Sequence, residues 1–328
     1  MYCSEEFFSP ANAEDPPTFV MSFGTSGSGN GQFNVAEGVA VDSSGNIWVS
    51  DYGNHRVQKF NSAGVYQSQF GGYGTGNGQF NHPIGITVDN SDNIYVTDAD
   101  NQRVQKFSNL GAYITQIGTP GGGNGQFYGP IDLEIDKSGN IWVLDNGNSR
   151  FQKFNSSGAY ISHFGSRGSG NGQFNWPWGI AIDNSGNIWV ADTYNHLVQK
   201  FNNSGVFQIQ FGGYGSGNGQ LINPKGIAID SFGNIWVADT DNHRIQKFTS
   251  SGAYLSKFGS LGAANGQFNG PSNIFIDKAD NIYVVDGVNN RIQKFAYPCA
   301  DTNGSTQQGI DLVKADPGSY QLPLQRSL

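Results

Sequence analysis

Cysteine, methionine and charge are all scarce in this chain. Its 328 residues include two Cys and two Met, and only 13% are charged. Two cysteines cannot complete a four-ligand zinc module of the finger or RING kind without several histidines beside them, and the whole chain has five His. Bases are outnumbered, 18 against 26 acids, for a formal charge of −8. A nucleic-acid partner needs a basic face to meet its phosphates, so none is expected. No run approaches the roughly 18 apolar residues of a membrane helix, so no membrane span is expected. Residues 1–17 (MYCSEEFFSPANAEDPP) carry acids where a signal peptide has a basic and then an apolar segment. No signal peptide is visible there, and the expected setting is nonetheless secreted or cell-surface.

What is plentiful is Gly (47 residues) and aromatics (13%), which suits short strands and tight turns better than helices. The stretch 41–60, VDSSGNIWVSDYGNHRVQKF, returns at 88–107, 135–154, 182–201, 229–248 and 276–295. The closing Phe falls at 60, 107, 154, 201, 248 and 295, a period of 47 with no insertion or deletion. A period of this size means a propeller or a solenoid, and repeats override the two-domain expectation from length. Each unit has four strand-like runs, as at 85–88, 94–97, 103–107 and 113–117. Between them lie Asp-Ser-Gly-Asn and Asn-Ser-Gly clusters, whose Gly and Asn tolerate the positive φ of tight hairpins. Four antiparallel strands per repeat make one propeller blade.

The sixth unit lacks its fourth strand, and a surplus strand at 18–23 (TFVMSF) aligns with the fourth-strand column. The expected fold is therefore an all-β, six-bladed propeller of four-stranded antiparallel blades. The N-terminal strand completes the last blade and leaves no long exposed edge. Residues 1–17 read as an irregular lead, 18–297 as the propeller and 298–328 as a polar flexible tail. A monomer is expected. Cys3 and Cys299 flank the array, and their spacing leaves two readings open: unrelated thiols, or a disulfide clasping the ends of the ring.

Asn46–Asp51 with 54–60, and 234–239 with 242–248, show a Gly-Asn-Ile-Trp-Val run, Asp, a short loop, Asn, His-Arg and Val/Ile-Gln-Lys-Phe. This pattern resembles the NHL family over residues 18–297. The resemblance implies the propeller fold and a range of roles, from binding platform and scaffold to, in some members, enzyme or RNA binder. It also brings in the recognition part of a ubiquitin ligase, which here would need a separate RING chain.

Most recurring side chains read as architecture. Asp51, Asp98, Asp145, Asp192, Asp239 and Asp286 end the second strands, and Arg56, Arg103, Arg150, Arg244 and Arg291 open the third, with Leu197 the one departure. A pair present in nearly every blade ties a loop, because catalysis needs unequal environments; if exposed, each pair is worth about 1 kcal/mol or less. His55, His196 and His243 share one column and read the same way, while His82 and His163 have no matching partner. The Gly-rich loops precede strands rather than helices, so they are not phosphate cradles. No metal site and no cofactor are expected.

The informative column is the residue after the usual Pro that enters each first strand: Glu37, Ile84, Ile131, Trp178, Lys225 and Ser272. It should ring the mouth of the central channel, where propellers bind ligands. Two enzyme families resembling this fold place metal ligands in this ring. The amidating lyases use His, absent here; the gluconolactonase-type hydrolases use Glu, Asn and Asp, of which Glu37 alone agrees. Asp132 and Asn273 replace the Gly that follows the ring in the other four blades. The fourth copy adds Trp176, Trp178, Tyr194 and Leu197 where other copies are mostly polar. Two functional classes follow. One is a non-enzymatic platform binding a protein segment or glycan through a top face of Glu37, Trp176, Trp178, Tyr194, Lys225, Asp132 and Asn273. The other is a lactonase-like or amidating-lyase-like enzyme with a divalent metal, working in the central channel with Glu37, Lys225 and Asp132.

Overall fold

The computed structural model describes residues 16–297, so Cys3, Cys299, the tail and most of the lead lie outside the described residues. Six four-stranded antiparallel sheets follow one another along the chain. The inner strands are Ala36–Val41, Pro83–Val88, Pro130–Ile135, Gly179–Ile182, Pro224–Ile229 and Pro271–Ile276. Each is in contact with the inner strand of the next blade, and Pro271–Ile276 meets Ala36–Val41 to close the ring. Thr18–Phe23 pairs antiparallel with Arg291–Ala296, from Thr18 against Ala296 to Phe23 against Ile292, and completes the sixth blade.

Local chemistry explains each strand and turn. The second strands, such as Ile47–Asp51, are buried throughout, because they sit mid-blade with a neighbouring blade on either face. The hydrophobic clusters accordingly run between blades: Trp48 and Val57 of the first pack with Phe80, Val96 and Phe107 of the second. Trp142 and Phe151 of the third pack with Phe174, Val190 and Phe201 of the fourth. The hairpin after the first inner strand closes on the Asp42 carboxylate, which accepts from the Ser44 and Asn46 amides and from Trp48 Nε1. Gly45 supplies the positive φ of 79° that this turn requires. Blades two and six put Asp92 and Asp280 at that left-handed position, and each carboxylate takes the amide and hydroxyl of a serine in the preceding blade, Ser43 and Ser231.

The Asp–Arg columns are buried, so the small value that applies to an exposed pair does not apply here. Asp98 is fully buried and Arg103 is 7% exposed. Asp98 accepts from Asn81 N, Asn101 Nδ2, Arg103 Nε (2.7 Å) and Gln105 Nε2. The far side of the guanidinium donates to Gln116 Oε1 and to the Gly76 and Gln79 carbonyls of the glycine-rich loop. The same bonds recur around Asp51, Asp145, Asp239 and Asp286. Leu197 leaves Asp192 without a guanidinium, and burial pushes that carboxyl up to about 6.

The histidine column also has a structural task. His55, His196 and His243 sit in the left-handed region, and their Nδ1 atoms accept from the amides of His82, Asn223 and Gly270 in the next blade. Gln102 and Asn290 do the same with amide oxygens, on Gly129 and Val35. Five of the six blades thereby fix the segment that enters the next one; among the described residues, no such bond is made by Ser149 of blade three.

Candidate functional site

The loops joining second to third strands meet the segments entering the inner strands, as where Tyr52 N and Gly53 N donate to Val35 O and Asn34 O. Together they form one face of the ring, the top. On this face the residue preceding the Pro column is left-handed in every blade, at Val35, His82, Gly129, Trp176, Asn223 and Gly270. The next two positions carry a β-bulge: Ala36 pairs with Asp51 and Gly38 with Ser50, so Glu37 is the extra residue. The sixth blade repeats it at Ser272, between Pro271 and Asn273. A bulged residue leaves the ladder and its side chain is re-aimed, a common device beside binding sites.

The residues singled out in the sequence fall into two groups rather than one patch. Trp176 and Tyr194 are about half exposed, with ring centroids 6.4 Å apart. They occupy the same pair of positions, 18 residues apart, as His82 and Asp100 in blade two (2.6 Å) and Asn223 and Asp241 in blade five (2.6 Å). An aromatic contact thus replaces a polar clasp, and the apolar area stays on the surface. Tyr128, in the segment entering blade three, is exposed at 62%.

Trp178 belongs to the channel mouth instead. It packs with Tyr52 against the cluster holding Ile84 and Ile131, and Lys225 Nζ lies 4.2 Å from the centre of its ring, a cation–π contact. The mouth is therefore two-sided, with Tyr52, Ile84, Ile131 and Trp178 on one flank and Lys225, Ser272 and Glu37 on the other. Burial pushes the Glu37 carboxyl up, while the Lys225 charge and the adjacent Ser272 hydroxyl pull it down. No hydrogen bond of good geometry joins Glu37 to Ser272: Glu37 Oε2 and Ser272 Oγ are both buried without a partner among the described residues.

Deeper in the channel, Asp132 ties two blades together. Its carboxylate accepts from Leu133 N and from Ile180 N of blade four. Glu134, two residues on, accepts only from Ile135 N, at 3.2 Å. Burial pushes Asp132 up to about 7 and Glu134 up to about 8, the latter helped by the Asp132 charge. Asn273 fills the position that Gly226 occupies in blade five, and a Cβ on Gly226 would strike the Asn273 backbone. The inner strands approach closely here, so only some blades can carry a side chain at this level. Glu134 and Tyr52 were not singled out from the sequence, although Glu134 stands alone in a column of Ala, Thr and Phe, and Ser272 was read only as a member of the ring column. Among the described residues, no group of three or more His, Cys, Asp and Glu side chains is placed to hold a metal.

The raised pair gives a pH test. A folded-state pKa above the unfolded value near 4 means that the native state binds protons more tightly, so stability falls as pH rises from about 4 towards 8 and then levels off. Glu134→Gln removes the Glu134 share of that loss and leaves that of Asp132. The variant should match the parent near pH 5 and exceed it above pH 8 by about 1 kcal/mol, a figure discounted for the solvent reaching this side chain. Denaturant melts at the two pH values check it, and equal gains at both would show that the carboxylate is not the cause.

The NHL repeat family matches residues 33–60, 80–107, 127–154, 174–201 and 221–248. The sixth copy, with Tyr283, Gly287 and Asn290 in the variable columns, is not among these matches. No curated protein matches the sequence. Similar solved structures include a streptogramin B lyase, 17% identical, TM-score 0.59, with 84% of this chain and 86% of that one covered. Another is a gluconolactonase from Xanthomonas campestris, 16% identical, TM-score 0.61, covering 82% and 88%. A third is a protein of unknown function from Bacteroides thetaiotaomicron, 18% identical, TM-score 0.64, covering 84% and 74%. At these identities the likeness is one of fold. Five matched repeats, a sixth in phase with them and a closed ring of four-stranded blades make this chain an NHL-repeat protein, a six-bladed β-propeller.

Proposed function

We propose that this propeller is a non-enzymatic binding platform that recognises a protein segment or glycan through its top face. The observation that carries the reading is the half-exposed Trp176–Tyr194 contact, in positions where blades two and five place polar clasps. Large rigid aromatics on a surface contribute more binding energy per residue than any other side chains, at little entropic cost. The shared columns are consumed by the fold, in the Asp–Arg networks and the histidine staples, so recognition rests on the positions that differ. A glycan array and a peptide pull-down, each run with the parent and Trp176→Ala, test this. Binding should weaken at least about tenfold in the variant, with an unchanged circular dichroism spectrum. Unchanged capture of every ligand found would rule out this face.

A second reading is acid–base chemistry in the channel, favoured by Asp132 and Glu134, whose raised carboxyls titrate near neutrality. Two of the proteins with a similar fold, the streptogramin B lyase and the gluconolactonase, are named as enzymes. Lactone and lyase substrates offered to the purified protein, with Asp132→Asn as control, separate the two. Turnover abolished by that change would support the enzyme.

A further inference from the structure

The channel mouth holds polar atoms that the fold leaves without partners. Ser272 is 3% exposed and its Oγ makes no hydrogen bond among the described residues; Glu37 Oε2 is in the same state. A buried polar group without a partner costs on the order of 1–3 kcal/mol, and it recovers that when a ligand supplies the bond. Both residues are bulged out of their ladders, on neighbouring blades six and one. Lys225 comes from the blade before, its charge felt at Glu37 and its ammonium over Trp178. Glu37 and Lys225 keep part of their surface exposed, so the cluster is reached from the top face past a flexible lysine stem.

The charges decide what could sit there. A metal ion or an ammonium ligand would find one carboxylate and be repelled by Lys225. An anion would find one ammonium and be repelled by Glu37. A pair of neighbouring hydroxyls suits both: one donates to Glu37 Oε2 and exchanges a bond with Ser272 Oγ, and the other accepts from Lys225 Nζ. The carbon skeleton then faces the aromatic flank of Trp178 and Tyr52, as in ligand sites with apolar walls and few placed polar groups.

We infer that the channel mouth is a subsite for a vicinal diol, the paired hydroxyls of a sugar or other polyol, held by Glu37, Ser272 and Lys225 beside Trp178. The inference rests on the top-face reading and narrows its ligand to one chemistry. Calorimetric titration of the full chain with monosaccharides, their methyl glycosides, oligosaccharides, alditols and free amino acids tests it. At least one diol-bearing ligand should bind, and its deoxy analogue lacking one hydroxyl should not. Glu37→Gln should weaken it about tenfold or more, by loss of a charge-assisted bond, and Ser272→Ala a few-fold. Glu37→Gln removes a buried charge and Ser272→Ala an unpaired hydroxyl, so neither should unfold the protein; thermal melts confirm that. Preference for methyl glycosides and oligosaccharides assigns the diol to a glycan end, and preference for alditols to a free polyol; either supports the subsite. Amino acids binding more tightly than polyols, no polyol binding at all, or binding indifferent to both substitutions overturns it. Trp176→Ala is titrated alongside, so a partner lost there but unaffected by Glu37→Gln would leave the top-face reading standing and remove the subsite alone.

Discussion

Replacing Asp98 with Ala should cost about 3–5 kcal/mol, the range for breaking a buried ion pair from one side. The carboxylate removed is fully buried and satisfies Asn81 N, Asn101 Nδ2, Arg103 Nε and Gln105 Nε2. With it gone, the Arg103 guanidinium stays in place, held by Gln116 and by the Gly76 and Gln79 carbonyls, with its charge uncompensated. In a domain of this size such a loss corresponds to a fall in Tm on the order of 10 °C. Blade four supplies the internal comparison, since it carries Leu197 at the arginine position and keeps the same strands. Arg103→Leu should therefore cost less than Asp98→Ala, because it leaves a carboxylate that can take up a proton and become neutral, rather than a guanidinium that cannot give one up. The state of Asp192, pushed up to about 6 without an arginine, is that escape route. Thermal and denaturant melts of the two variants check the order; an equal or reversed cost would mean that the aspartate is held by its neutral partners alone.

The columns that repeat were legible in the sequence, and their energetics were not. A period of 47 with the Phe at 60, 107 and 154 is enough to count blades, assign four strands to each and place Thr18–Phe23 in the sixth sheet. Strand starts were less accessible: the second inner strand begins at Pro83 rather than Gly85, because the bulge after the Pro hides two residues from the alternating pattern. The burial of Arg103 could not be foreseen either, since the carbonyls that accept from it belong to a loop 24 to 27 residues earlier. Site geometry suffered most. Trp176 and Trp178 read as one patch flanking Pro177, but the left-handed turn at Trp176 (φ 52°) breaks the strand alternation and sends the two indoles to different environments. Differences between copies drew attention to the column of Glu37, Lys225 and Ser272, and the charge of Lys225 and the hydroxyl of Ser272, from two other blades, both act on Glu37 at the mouth.

Removing the closing strand should have the largest effect of all. A chain starting at Gly24 keeps every matched repeat, yet its sixth blade has only Pro271–Ile276, Ile282–Asp286 and Arg291–Ala296. The backbone of Arg291–Ala296 becomes an open edge, which invites pairing between chains. Two aromatic contacts vanish with it, Phe19 on Phe295 (6.0 Å) and Phe23 on Phe60 (4.7 Å). The second matters more, because Phe60 belongs to the first blade: Phe23, Phe33 and Phe60 lie in the cluster that also holds Tyr283, Val285 and Ile292 of the sixth. Phe19 and Phe23 are both half-buried, so each costs less than the ~3–5 kcal/mol of a fully buried phenylalanine; the lost ladder adds to that, and the total approaches the ~5–15 kcal/mol that holds a whole domain together. The truncated chain should elute as aggregates and lose its cooperative melt. A synthetic peptide of residues 16–24 added during refolding should restore both, as strand addition to an open edge allows. Phe23→Ala in the full chain isolates the inter-blade contact. It should lower Tm without aggregation, since the edge stays covered. If the truncated chain instead melts cooperatively as a monomer, the ring is closed by the contact between Pro271–Ile276 and Ala36–Val41 at its centre rather than by the strand at its rim.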